Sequence, residues 1–179
     1  MNSARPSPPA ATPLTPTNAP LAAAAPLDAA GADAARQPGI RAPAARITGW
    51  DHVGIRVSDR DEALAFYARL GFRLVLDLPR HEAAELETAD GVRINLIFNG
   101  ARRPGRRNVL LDEPVKLPGM THPAFVVPDL GALQTLLARH AIPITEGPHP
   151  IGPRRIALFV RDPDGNVLEF NQLIGGDDA

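Results

Sequence analysis

DHVGIRV at residues 51–57 and THPAFVV at residues 121–127 are two copies of one strand-like run. In each a histidine stands second, and His122 follows His52 by 70 positions (122 − 52 = 70). The same offset lays Ala68-Arg69-Leu70-Gly71-Phe72 over Ala138-Arg139-His140-Ala141-Ile142, so the helix-like stops also match. Near the end of each copy, ADGVRINLIFN from Ala89 and PDGNVLEFNQ from Pro163 superpose with an offset of 74 (165 − 91 = 74). That register sets Asn95 over Glu169. A duplicated unit reports architecture directly, and side chains at repeated positions tend to converge on a shared interface. The four equivalent positions read His, Asn, His, Glu.

Outward from these runs the pattern of a small mixed module emerges. Residues 50–57 alternate, with Val53, Ile55 and Val57 on one face and His52, Gly54 and Arg56 on the other, as in a half-buried strand. Ser58 and Asp59 offer helix N-caps, and Glu62 lies three residues beyond Asp59 in the manner of a capping box. Ala63, Leu64, Phe66, Tyr67 and Leu70 form an apolar helical stripe that Gly71 ends. Strands are predicted at 72–76, 83–87 and 92–98, the last two joined by an Asp90-Gly91 turn. The second copy repeats the order with 121–127, a helix over 130–140, and strands at 142–146, 155–161 and 167–173, with Asp164-Gly165 as the matching turn. The expected fold class is therefore α+β, two βαβββ modules forming a curved mixed sheet around a cleft. One domain spans 47–174, with module one at 47–100, a connector at 101–120 and module two at 121–174.

Residues 1–44 stand outside that scheme. They hold nine prolines and fifteen alanines, no aromatic residue, three leucines and one isoleucine. So little apolar surface cannot offset the cost of ordering a backbone, and the segment is expected to be a disordered arm, as is the tail at 175–179. Its best apolar stretch, 21–27, is broken by Pro26 and followed by Asp28, which does not suit a secretory signal. No run reaches membrane-spanning length, and a cytoplasmic protein is expected. The formal charge of −1 gives no argument for nucleic acid or a membrane as partner. The absence of cysteine excludes disulfides, thiolate metal sites and a cysteine nucleophile.

Any metal must then be held by nitrogen and oxygen. Taken singly, a strand histidine is usually structural or solvated. Two at one repeated position, with Glu169 where a third donor is needed, form the two-imidazole, one-carboxylate set suited to divalent iron and similar ions. Asn95 is either a fourth ligand through its amide oxygen or a hydrogen-bonding partner of bound water or substrate. His140 reads as a helix C-terminal residue, and His81 and His149 as loop histidines. Arg102, Arg103, Arg106 and Arg107 in the connector, and Arg154-Arg155, read as solvated basic loops or as a capture point for a carboxylate or phosphate. Phe98, Phe125, Phe159, Arg56 and Arg93 are expected to line the cleft.

DHVGIRVSDRDEALAFYARLGF and ALFVRDPDGNVLEF, within about 47–174, resemble the vicinal-oxygen-chelate superfamily, which includes glyoxalase I, methylmalonyl-CoA epimerase, type I extradiol dioxygenases and bleomycin-binding proteins. The resemblance implies metal ligands at the first and last strand of each module, here His52, Asn95, His122 and Glu169. Glyoxalase I has glutamate where this chain has Asn95, and the epimerase has glutamine. Extradiol dioxygenases use the two histidines and the final glutamate, but their ring-cleaving histidine and tyrosine have no evident counterpart, Phe159 standing in the second stretch. The implied function is a divalent-metal enzyme (Fe, Mn, Ni, Zn or Co) acting on a small-molecule substrate, a lyase or isomerase step with Glu169 as base. An Fe(II) dioxygenase is the alternative, and a non-catalytic small-molecule binder the second. A homodimer is the implied assembly, and the modules pair either within one chain or between two.

Overall fold

Asp59 and Asp129 each start a helix in the same way. The Asp59 carboxylate accepts a hydrogen bond from the Glu62 backbone N–H at 2.9 Å, and that of Asp129 accepts from Gly131 at 2.7 Å. Both satisfy donors that the first helical turn leaves unpaired. The helices are α1, Arg60–Arg69, and α2, Leu130–Arg139. Gly71, at φ +93°, supplies the left-handed residue that turns the chain out of α1. The structure, a computed structural model, describes residue 47 and residues 49–175. The expected arm at 1–44 and the tail from 176 lie outside the described residues.

Each helix joins the strands of its own module. In module one, β1 (Val53–Arg56), β2 (Arg73–Leu78), β3 (Ala83–Glu87) and β4 (Arg93–Ile97) form a sheet in the order β1-β4-β3-β2. In module two, β5 (Ala124–Val126), β6 (Ile144–Pro150), β7 (Arg155–Arg161) and β8 (Val167–Leu173) form one in the order β5-β8-β7-β6. The first strand of each module pairs parallel with the last, and the other pairings are antiparallel. The α+β fold of two βαβββ modules is as the repeat predicts. Both β1 and β5 are edge strands, each with one side of its backbone ladder unpaired among the described residues.

One face of each sheet meets a common apolar interior. Val53, Ile55, Ile94 and Leu96 of module one and Leu158, Val160, Leu168 and Phe170 of module two enter the same buried cluster as Phe66 and Tyr67 of α1 and Leu133 and Leu137 of α2. The modules are further tied by polar contacts at the turn after β7. The Tyr67 hydroxyl donates to Asp162 at 3.1 Å, and the Ser58 backbone N–H donates to Asp164 at 2.8 Å. Asn166 donates to the Arg56 carbonyl at 2.9 Å. Gly165, at φ +89°, passes so close to the Arg106 carbonyl of the connector that a Cβ there would collide with it. Arg161 grips Asp112 with both nitrogens, at 2.7 and 2.8 Å, fastening the connector to β7. Among the described residues no helix is long and apolar enough to cross a membrane.

Several strand boundaries differ from expectation, and three bear on the site. β1 and β5 begin at Val53 and Ala124, so both histidines stand just before their strands; Pro123, lacking an N–H, prevents earlier pairing in module two. β6 runs on to Pro150, which puts His149 in a strand and not in a loop. Pro148 and Pro150 are tolerated because β6 is an edge strand, and an irregularity around Gly147 lets pairing resume at His149 opposite Ala157.

Candidate metal centre

The core-facing residues fix where the remaining side chains point. In β8, Leu168 and Phe170 enter the core, so Glu169 and Asn171 face the other way. Ala124 pairs with Glu169, and His122 lies two residues earlier on that same face. The two side chains meet, with His122 Nε2 2.8 Å from Glu169 Oε2. Glu169 is buried, its side chain 8% exposed, whereas that of His122 is 28% exposed. The other ring nitrogen, Nδ1, is 3.0 Å from the Thr121 hydroxyl. Phe159 stands opposite Glu169 in β7, and its ring meets His122 edge-on at 5.8 Å and His149 at 6.3 Å. His149 Nε2 lies 3.6 Å from Glu146. This face of module two therefore carries two imidazoles, two carboxylates and one phenyl ring.

Module one repeats the arrangement with different residues. Asn95 of β4 pairs with Gly54 of β1, and His52 lies two residues before Gly54 on the face turned from the core. The His52 Nδ1 is 2.6 Å from the Asp51 carboxylate. Among the described residues, Asn95 Oδ1 is buried with no hydrogen-bond partner, as is Asn171 Oδ1. A buried carbonyl oxygen left unpaired costs about 1–3 kcal/mol, so an absent partner is implied at each. Glu85 faces Asn95 across β3 and β4, placing a carboxylate beside the amide. The Asp90-Gly91 turn fixes that register, so Glu85 was accessible to sequence reasoning and was missed. The contacts of Asp51 and Thr121 with the rings, and the exposure of His149 to the Glu169 face, were missed too.

The structure thus joins His122 with Glu169 and sets His52 on the same sheet face as Asn95. Among the described residues it does not gather three His, Asp or Glu side chains into a group that could hold a metal. A cavity of about 820 Å³ lies between the beginnings of β1 and β5, and Trp50, Asp51, Arg93, Met120, Thr121 and His122 are among the residues that line it. A second, of about 430 Å³, opens on His122, Phe159, Arg161 and Glu146.

The other residues singled out in the sequence take the following places. Phe98 packs against the core beneath the Arg60 guanidinium at 5.3 Å, whereas Phe125 both packs against the core and lines the larger cavity. His81 ends a short 3₁₀ turn, Pro79–His81, and His140 caps α2. Three of the connector arginines are paired with acids: Arg102 with Glu62, and Arg103 and Arg107 with Glu113 at 3.9 and 3.5 Å. These pairs fit the reading of a solvated basic loop. Arg161 and the Asn108 backbone N–H hold the Asp112 carboxyl below the usual carboxylate range.

This geometry can be set beside known proteins. Residues 49–170 match the model of the Glyoxalase/Bleomycin resistance protein/Dioxygenase superfamily. The chain belongs to that superfamily. Within it, the chain is similar to a catechol-2,3-dioxygenase of Bacillus subtilis (strain 168), 35% identical over 126 residues that cover 66% of this chain and 40% of that protein. It therefore spans about two fifths of that relative's length. Among solved structures of the superfamily's fold, the glyoxylase/bleomycin resistance protein/dioxygenase domain from Frankia sp. EAN1pec is 25% identical, with a TM-score of 0.57 over 73% of this chain and 96% of that one. A lactoylglutathione lyase from Agrobacterium tumefaciens is 20% identical, with a TM-score of 0.52 over 71% of this chain and 95% of that one. The superfamily includes glyoxalases and dioxygenases, and both names occur among these relatives.

Proposed function

We propose that the protein is a divalent-metal-dependent enzyme that moves a proton on a small oxygenated substrate, a lyase or isomerase step with Glu169 as base. The observation that carries this reading is the buried Glu169 carboxylate 2.8 Å from His122 Nε2. Both groups are good donors to a divalent cation, and the set of nitrogen and oxygen atoms suits iron, manganese, nickel, zinc or cobalt. The unpartnered Asn95 oxygen, on the same sheet face as His52, fits a donor still waiting for its acceptor. His52, Asn95, His122 and Glu169 are the residues that would hold the ion.

When bound, such an ion polarises neighbouring substrate oxygens and lowers the cost of removing an adjacent proton. Glu169 takes that proton and returns it. Phe159 keeps one wall of the approach apolar, and the His149–Glu146 pair beyond it gives the substrate a polar neighbour.

The set is completed, on this reading, by a second copy of the chain. Three observations among the described residues support a homodimer: no three His, Asp or Glu side chains group within one chain, β1 and β5 each keep an unpaired edge, and Trp50, Met120 and Val126 are exposed near those edges. Exposed edges and apolar side chains together are the ordinary signature of an association surface.

The second reading is an iron-dependent dioxygenase, and the 35% identity to a catechol-2,3-dioxygenase favours it. Against it, Phe159 offers no proton donor opposite Glu169. Metal analysis of protein purified without added ions, with oxygen uptake measured on catechols, separates the two. Nickel, zinc, cobalt or manganese without oxygen uptake supports proton transfer; iron together with uptake overturns it. If His122→Ala leaves metal content and small-molecule affinity unchanged, both readings fail and sequestration of a ligand becomes the best account.

A further inference from the structure

The residue before each histidine touches its ring, and the two residues differ chemically. Asp51 Oδ2 lies 2.6 Å from His52 Nδ1, and Thr121 Oγ1 lies 3.0 Å from His122 Nδ1. Asp51 and Thr121 occupy the same position in the repeat, and both line the 820 Å³ cavity. An ionised carboxylate only accepts hydrogen bonds, so the ring nitrogen facing Asp51 must carry a proton. In a neutral His52 ring the lone pair then sits on Nε2, the nitrogen left free for a cation.

His122 is arranged the other way round. Its Nε2 faces the Glu169 carboxylate at 2.8 Å, so in the metal-free chain that nitrogen carries the proton and Nδ1 accepts from the Thr121 hydroxyl. For Nε2 to bind a cation, the ring proton must move to Nδ1, and the oxygen facing it must become an acceptor. A hydroxyl can do either, because it both donates and accepts. A carboxylate at this position could not.

Resting on the metal-dependent reading above, we infer that Asp51 and Thr121 are positioning residues with different tasks. Asp51 presets the His52 ring with Nε2 open before any metal arrives. Thr121 is a two-way partner that lets the His122 ring change tautomer when Nε2 exchanges Glu169 for the metal. Partners of this kind orient ligating imidazoles in metal sites generally, and their loss weakens metal binding by roughly 10–100-fold.

The test reads ring nitrogens directly. Full-length protein carrying ¹⁵N-histidine is examined by NMR at about pH 8, where an ordinary imidazole is neutral, first without metal and then saturated with zinc. The metal-free protein is expected to show His52 as the Nδ1–H tautomer and His122 as the Nε2–H tautomer. Zinc should convert His122 to Nδ1–H and leave His52 as it was. Zinc affinity, measured by competition with a chromophoric chelator, should fall about 10–100-fold in Asp51→Ala. It should also fall in Thr121→Val and recover in Thr121→Ser. Asp51 and Thr121 are both exposed, and an unchanged backbone amide spectrum verifies folding of each variant. A metal-free His52 in the Nε2–H form, or wild-type zinc affinity in Asp51→Ala, overturns the inference. Absence of binding by the wild type to zinc, nickel, cobalt, manganese and iron alike is a different result and overturns the proposed function itself. The tautomers of the metal-free protein are read independently of it.

Discussion

A glutamate with a side chain only 8% exposed is ordinarily neutralised by an arginine or lysine, yet the partner of Glu169 is an imidazole that is itself 28% exposed. Glu169→Gln keeps the shape and removes the charge. On the proposed chemistry it should lower turnover by at least about 100-fold, the scale on which a positioned base acts, with an unchanged far-ultraviolet circular dichroism spectrum. Retained turnover would remove Glu169 from the reaction. The sheet faces on which His52, Asn95, His122 and Glu169 stand were legible in the sequence, because strand alternation and the internal repeat both constrain them. The side chains around these four were not, and each for its own reason. Asp51 and Thr121 reach their rings by local torsions that alternation does not encode. Prolines on both sides of His149 masked a strand. Only Glu85 had a usable signal, in the turn that sets it opposite Asn95.

At the scale of elements, the contact between α1 and the turn after β7 is the most informative. Tyr67 is fully buried, and burial together with the nearby Asp162 charge pushes its phenol well above its ordinary range, so the hydroxyl remains a donor. Tyr67→Phe should cost about 1.5–3 kcal/mol in urea unfolding, the worth of a hydrogen bond to a charged group; no loss would mean that the hydrogen bonds from Asp164 and Asn166 satisfy Asp162 without it. Burial raises the carboxyl of Asp162, although Asn166 and Tyr67 hydrogen bonds pull the other way. The folded state therefore holds that proton more tightly than the unfolded chain does. The associated stability is complete below the unfolded value of about 3.9 and is lost as pH rises through the folded one. The stability of wild type relative to Asp162→Asn should accordingly decline as pH is raised from about 4 and then level off. A difference flat with pH would show that Asp162 titrates alike in both states. The helices themselves were readable from caps and apolar stripes, but this inter-module lock was not: Tyr67 and Asp162 are 95 residues apart, and no local pattern links them.

For the whole molecule, the proposed homodimer completes each centre with halves of two chains. If two copies share it, mixing inactive His52→Ala protein with inactive Glu169→Ala protein should restore activity, up to roughly a quarter of the wild-type level if subunits pair at random in a two-fold dimer. Restoration fails if each chain builds its own centre, and labelled subunits must first be shown to exchange. The duplicated βαβββ order was legible at this scale, because it depends only on patterns repeated within the chain. The relation between the modules depends on contacts between surfaces, which no periodicity records.

The helices of both modules feed one apolar interior, and the exposed arginines of residues 102–107 lie in the stretch between them. A trypsin nick there would leave two fragments, each with a greasy face that only the other can cover. Such a clipped protein should run as a single species on a native sizing column and separate only in denaturant. Covalent continuity would then matter for assembling the interior, and much less for keeping it closed.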